Sequence, residues 1–383
     1  MNGSLIEVPD VSALRCRSGR KWSRYPADVL PAWIADMDLL PAPAIRATLR
    51  AAAEEGDLGY GPSGRDSGVP QSFAAWALRR WGWIVEPEAV LVMPDVVGGI
   101  ANCIEALTRP GDAILVQTPI YPPFLSCVTR GGRRLVTSET GVGTIDFGAI
   151  EAAVVQHRVR MLLLCHPHNP TGRCFDRGEL LQLAALARKY ELIVVSDEVH
   201  GDLVYPPREH VPFAALDAAV STVTLNSASK AFNVAGLRCA VCVVQDNSLR
   251  EQLAALPAQR WTAFSTLGIR ATLAAWSDSG EEWLLACVQH LQALRDRLAE
   301  RLSRNCAAIR CAPAQASYLA WLDCRALHLD REPAVFFLER ARVALSPGHE
   351  FGAPGRGHAR LNFATSAAIL DEILERMCAA STA

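Results

Sequence analysis

Lys230 stands out by composition. The chain has three lysines against 35 arginines, so lysine persists where arginine would not serve. It lies in Ser227-Ala228-Ser229-Lys230-Ala231-Phe232-Asn233-Val234-Ala235-Gly236-Leu237-Arg238. An amine that can lose its proton forms a Schiff base with an aldehyde, which a guanidinium held permanently charged does not. The hydroxyls of Ser227 and Ser229 and the guanidinium of Arg238 suit a phosphate monoester. The string therefore describes a site for an aldehyde that carries a phosphate. If that aldehyde sits on a nitrogen heterocycle, the ring nitrogen needs a carboxylate, and Asp197 at the end of an apolar run is the candidate.

These residues need a scaffold. Val220 to Leu225 reads as a buried strand with Lys230 just past its end, where ligands gather in open α/β sheets. Buried strands are expected at Val90–Met93, Ala113–Gln117, Arg134–Thr137, Met161–Cys165, Leu192–Ser196, Thr222–Leu225 and Ala240–Val244. Helices are expected between them, at Gln71–Arg80, Gly98–Leu107, Pro122–Arg130, Asp146–Gln156 and Arg177–Tyr190. Such alternation predicts an α/β fold: a mostly parallel mixed sheet sandwiched by helices. A long amphipathic helix follows, roughly Gly280 to Arg304. Then come a strand at Tyr318–Leu322, a helix near Pro333–Ala341, a strand at Leu361–Phe363 and a terminal helix near Ala367–Cys378. That is the make-up of a smaller α+β domain. The expected division is a large domain over 45–275 and a small domain built from 1–44 plus 276–383.

Bulk properties exclude other classes. Half of the 383 residues are apolar, the net charge is −2 and the pI is near 6.5. No basic arm offers a surface to nucleic acid or to an anionic membrane. No stretch approaches eighteen uncharged apolar residues, so no membrane span is expected. The first 22 residues lack the apolar core of a secretory signal, and the expected location is the cytoplasm, with the twelve cysteines as free thiols. Cys239 and Cys242 form the only CxxC. In an apolar strand they point to opposite faces and read as core residues. His166 and His168 have no acidic or cysteine partner at ligand spacing, so no metal site is expected. Gly141-Val142-Gly143 reads as a plain turn.

Four further segments converge on the aldehyde-phosphate reading. His166-Pro167-His168-Asn169-Pro170-Thr171-Gly172 forms a rigid turn after one strand, and Ser196-Asp197-Glu198-Val199-His200 ends the next. Met93-Pro94-Asp95-Val96-Val97-Gly98-Gly99 is a strand-to-helix turn whose free N–H groups suit a phosphate. His358-Ala359-Arg360-Leu361-Asn362-Phe363 places an arginine at the start of a late strand. Together these resemble fold-type-I pyridoxal-phosphate (PLP) enzymes of the aspartate aminotransferase superfamily. The closer resemblance is to the cystathionine β-lyase (C–S lyase) branch of the MalY/PatB type. It rests on Trp33-Ile34-Ala35-Asp36-Met37-Asp38, Tyr60-Gly61, His168 to Arg173, Ser196 to His200 and Ser229 to Arg238, and runs from about residue 22 to residue 366.

The resemblance implies roles. Lys230 would be the Schiff-base lysine and proton carrier, and Asp197 the partner of the ring N–H. Asn169 would donate to the ring's phenolic oxygen, and Tyr121 would stack on the ring. Ser227, Ser229, Arg238 and the amides of Val96 and Val97 would hold the phosphate. Tyr60 would reach the phosphate of a neighbouring subunit, which implies a homodimer with shared sites. His200 stands where many aminotransferases carry a tyrosine. Arg360 would bind the substrate's α-carboxylate, with Ala35 and Asp36 beside the substrate. The implied reaction is C–S β-elimination from a cysteine S-conjugate to a thiol, pyruvate and ammonia. The alternatives are transamination and an oxidative or decarboxylating outcome on a cysteine conjugate.

Two residues depart from the family pattern. Asp95 replaces a small neutral residue in the phosphate turn, so its carboxylate must point away, meet Arg238 or touch the substrate. His166 replaces a smaller polar residue. These departures lead to the expectation that a conjugate bulkier than cystathionine is the better substrate.

Overall fold

The computed structural model describes residues 5–140, 144–217 and 219–382. The turn expected at 141–143 lies outside them. Twelve strands order the described residues. They are β1 (Leu30–Pro31), β2 (Val90–Met93), β3 (Ala113–Thr118), β4 (Arg134–Glu139), β5 (Val159–Cys165), β6 (Ile193–Asp197), β7 (Thr222–Asn226), β8 (Ala240–Val243), β9 (Leu319–Asp323), β10 (Val343–Ala344), β11 (Ser346–Pro347) and β12 (His358–Asn362).

The main sheet has the order β2-β8-β7-β6-β5-β3-β4. Strands β7, β6, β5, β3 and β4 pair in parallel, and β8 runs antiparallel to both its neighbours. The strands are nearly continuous Val, Ile and Leu because helices cover both faces, which leaves no water-facing row to be polar. One face packs Met93, Ile100, Ile114, Phe124 and Leu163 together. The other packs Leu115, Ile150, Leu162, Phe175, Leu180 and Val194. Each such fully buried side chain contributes about 1.5–3 kcal/mol. A second, antiparallel sheet has the order β11-β12-β9, and β1 pairs in parallel with β10.

The expected strands match within a residue or two, with one consequential difference, and the two-residue strands β1, β10 and β11 are additions. The last strand begins at His358, not Leu361, so Arg360 sits mid-strand opposite Trp321 of β9. Its side chain thus projects from a paired, rigid backbone. The helix Thr266–Ala275 is an addition to the expected elements. Its Gly268 explains how it packs, because a Cβ there would lie 2.1 Å from the Leu237 carbonyl oxygen. Only glycine permits this approach, which braces the turn that carries Arg238. No helix among the described residues is long and apolar enough to cross a membrane.

Candidate active site

The sheet brings the chemistry to one edge. Strands β5, β6 and β7 are parallel neighbours, with Cys165 opposite Asp197 and Asp197 opposite Leu225. Their carboxyl ends therefore deliver Asn169, Asp197 and Lys230 side by side. The ends of β2 and β3 add Pro94–Val97 and Tyr121. A cavity of ≈ 190 Å³ forms there, lined by Ala35, Val96, Val97, Tyr121, Asn169, Asp197, His200, Ser227, Ser229, Lys230 and Arg238 among others. A groove of ≈ 480 Å³ elsewhere, past Arg65, Leu91, Trp261 and Phe264, gathers no lysine or histidine on its walls, so size alone does not find the site.

Three of the expected residues are not on the cavity wall. Arg360 stands behind Asn169 and donates to its Oδ1 at 3.0 Å. Asp36 lies adjacent through its backbone, and its charge acts on Lys230. Tyr60 is fully exposed, on a loop beside Thr262–Leu267 and outside the cavity of its own chain.

Burial sets the electrostatics. It raises Asp197 to about 7, a shift that Glu198 reinforces and that the Val199 amide (3.1 Å) and Lys230 oppose. Burial lowers the Lys230 ammonium from the ordinary lysine range, against the opposite pull of Asp36. Its Nζ donates to the Ala35 carbonyl at 3.0 Å. Burial also lowers His200 to about 3, so its imidazole is neutral at pH 7. Arg360 is drawn down to about 10 by the same cause and stays charged. Its acceptors are neutral: Asn169, the Trp33 carbonyl (3.1 Å) and Ser346 Oγ (3.1 Å). Its Nε is buried without a partner. Among the described residues no carboxylate pairs with it. A buried guanidinium left in this way calls for an anion from outside the chain.

Side chains that the sequence did not single out, together with Arg360, shape the irregular segment 33–39 over the cavity. Arg360 and Ser346 donate to the Trp33 carbonyl. Asn362 donates to Ile34 (2.7 Å) and Asp36 (2.6 Å), and Asn233 to Met37 (3.0 Å) and Leu39 (3.1 Å). Tyr318 donates to the Ala35 carbonyl at 2.9 Å, the same acceptor that Lys230 uses. Lys21, buried with Asp38 at 3.0 Å, donates to the Asp36 carbonyl at 3.1 Å. Only the buried lysine was an anomaly visible in the sequence, since lysines are so few.

The two departures resolve differently. Asp95 caps the helix Val96–Leu107 by accepting from the Gly98 N–H at 2.8 Å, and its other oxygen pairs with Arg238 at 2.7 Å. His166 turns away from the cavity and stacks on Phe175 (5.5 Å) and His210 (4.9 Å). Neither reaches the Arg360 end, so neither supplies an argument for a bulky substrate. Cys239 lines the cavity and is not a pure core residue, while Cys242 is buried in the sheet. All twelve cysteines are free.

The donor set fits pyridoxal phosphate. Val96 and Val97 open a helix with amides free of intrahelical acceptors, Arg238 and Ser227 face the same end, and a raised carboxyl and a suppressed amine face the middle.

Comparison with known proteins agrees with this geometry. The cystathionine β-lyase PatB of Bacillus subtilis is 34% identical over 92% of both chains. The PLP-bound C–S lyase of Staphylococcus hominis superposes with a TM-score of 0.91 at 27% identity, over 98% of each chain. Cystalysin of Treponema denticola, whose structure contains pyridoxal 5′-phosphate, superposes with a TM-score of 0.90 at 28% identity, over 96% of each. The model of aminotransferase class I and II matches residues 34–377, a span that runs from the segment over the cavity through Arg360, and on this evidence the chain belongs to that family.

Proposed function

We propose that this protein is a PLP-dependent carbon–sulfur β-lyase that cleaves a cysteine S-conjugate to a thiol, pyruvate and ammonia. The observation that carries the reading is Arg360: a buried guanidinium with neutral partners only, anchored to Asn169 on the wall that also bears Lys230 and Asp197. It suits the α-carboxylate of an amino acid. Arg238 is the one arginine lining the cavity among the described residues, and it sits at the phosphate end. Among the described residues the cavity wall of this chain offers no other arginine to a second substrate carboxylate, which favours a neutral sulfur-linked side chain over the dicarboxylic substrates of many aminotransferases.

Val96, Val97, Ser227, Ser229 and Arg238 would hold the cofactor's phosphate, Tyr121 its ring face, Asn169 and His200 its phenolic edge, and Asp197 its ring nitrogen. When bound, the cofactor supplies an aldehyde for the substrate amine and a protonated ring that accepts electrons from Cα. Asp197 keeps the ring nitrogen protonated once the two share a proton, because a cationic partner stabilises its buried charge. Lys230, with its charge suppressed by burial, takes the α-proton. Its bond to Ala35 holds the amine at the cavity wall. The leaving group departs from Cβ with the electron pair of the C–S bond. A thiol, with a pKa of about 8.5, leaves far more readily than an alcohol.

The site would be completed by a second copy of the chain. Tyr60 is fully exposed on its own protomer, free to reach a partner's phosphate end. The free thiols suit a reducing compartment such as the cytoplasm. The test is turnover on a panel of cysteine S-conjugates beside their serine O-linked counterparts. Cleavage of the sulfur series at least ~100-fold faster supports the reading. Equal rates, or no cleavage of any member, would refute it.

A further inference from the structure

The phosphate end of the cavity holds an anion of the chain's own. Asp95 Oδ1 accepts from the Gly98 amide at 2.8 Å, in the first turn of the helix Val96–Leu107, and Oδ2 pairs with Arg238 at 2.7 Å. A phosphate monoester seeks the same two kinds of donor: helix-start amides and a guanidinium. Ser227, another donor at that end, is also engaged within the chain. Ser227 Oγ donates to the Cys239 carbonyl at 2.7 Å and accepts from the Ser229 amide at 3.0 Å.

Two opposed effects follow from the Asp95 carboxylate. It could orient Arg238 and so aid phosphate binding, or it could repel the phosphate and compete for the guanidinium. The exposure of the pair decides. The Arg238 side chain is 56% exposed and that of Asp95 32%, so orientation through this ion pair is worth little. Arg238 is in any case held by its backbone, with φ +56° and with the Ser265 amide on its carbonyl at 3.1 Å. Repulsion between a carboxylate and a phosphate that contact one guanidinium arises only once the phosphate is seated and has displaced water from the pair, so it is screened less than the ion pair alone and is the larger effect.

We infer that Asp95 is an internal rival of the cofactor's phosphate for Arg238 and the helix start, and that it loosens the cofactor and speeds its exchange. This rests on the PLP reading above. It makes cofactor residence depend in part on a side chain that the chemistry at Lys230 does not use.

The test compares holoenzyme with Asp95→Asn and Asp95→Gly. Asn keeps the helix cap and removes the charge, so it separates charge from folding. Cofactor release is followed by absorbance on dilution, and the dissociation constant by retitration. Asp95→Asn is expected to bind PLP about tenfold more tightly, with release slowed to match. Inorganic phosphate, used as a second probe, should compete with PLP uptake more strongly in Asp95→Asn than in the parent. Unchanged or weaker PLP binding in Asp95→Asn overturns the inference while leaving the PLP reading intact. A parent protein that binds no PLP overturns both. Asp95→Gly should also bind more tightly than the parent, and a loss of PLP affinity in Gly and Asn alike would assign Asp95 to orientation of Arg238 instead.

Discussion

The two arginines of the site, Arg238 on the cavity wall and Arg360 behind Asn169, share a charge and little else. Arg238 is more than half exposed and already paired with Asp95. Arg360 is 4% exposed and meets only neutral acceptors. One belongs to a loop braced by the close approach of Gly268, the other to the middle of a paired strand. The contrast matches what each end must do. A cofactor stays through many turnovers and is held by many modest contacts, so a solvated, shared arginine suffices. A substrate carboxylate is bound at every turnover and must be oriented, so a rigid, dehydrated arginine serves it better.

The largest effect tests both ends through the residue between them. Lys230→Ala should cut turnover by roughly 10³-fold or more, since the proton carrier is lost. Borohydride treatment of the parent should leave a pyridoxyl label on the Lys230 peptide. A label on Lys21 or Lys189 contradicts the assignment.

Arg360→Lys and Arg238→Lys should then separate the ends. The first replaces a buried planar fork with a point charge and should lower kcat/KM by about 100-fold, with PLP affinity nearly unchanged. The second should weaken PLP by about tenfold and leave KM for the amino acid within twofold. Steady-state kinetics with cofactor titration reads both. Equal effects of the two substitutions on both quantities would erase the distinction.

A smaller effect is expected at Tyr318, which holds the Ala35 carbonyl that Lys230 also uses. Burial keeps its hydroxyl protonated far into the alkaline range. Tyr318→Phe should lower kcat about fivefold with KM little changed, the loss of one buried hydrogen bond. An altered KM with an unaltered kcat would place Tyr318 on the substrate instead.

Asp197 predicts a pH effect on stability. An unfolded aspartate ionises near pH 4, whereas folded Asp197 keeps its proton to about 7 because of burial. The folded state therefore binds more protons across that window, and its stability falls as pH rises from about 4 to about 7. In protein stripped of cofactor, Asp197→Asn should remove this slope, so its melting temperature should gain several degrees on the parent between pH 5 and pH 8. Parallel melting curves across that range would contradict the shifted carboxyl.

The sequence was most legible where function coincides with periodicity. Asn169, Asp197 and Lys230 each follow an apolar run, and parallel neighbours place such ends together. The residues that hold 33–39 were not legible. Tyr318, Asn362 and Asn233 reach backbone carbonyls that only tertiary folding brings near, and a carbonyl leaves no mark in a sequence; Lys21 was marked only by the scarcity of lysine. Arg360 was found, but its place mid-strand was not, because pairing with β9 extends the strand back to His358 past the glycine-rich Gly355–Gly357. For Asp95 the sequence left three destinations open, and the Arg238 contact is a matter of geometry alone.

The central claim is that this cavity eliminates a thiol and does not exchange an amino group. The direct measurement is the stoichiometry of products from holoenzyme and a cysteine S-conjugate with no 2-oxo acid present. The account predicts thiol, pyruvate and ammonia in equal amounts over many turnovers. A reaction that stops after one equivalent per site and resumes only when a 2-oxo acid is added would contradict it.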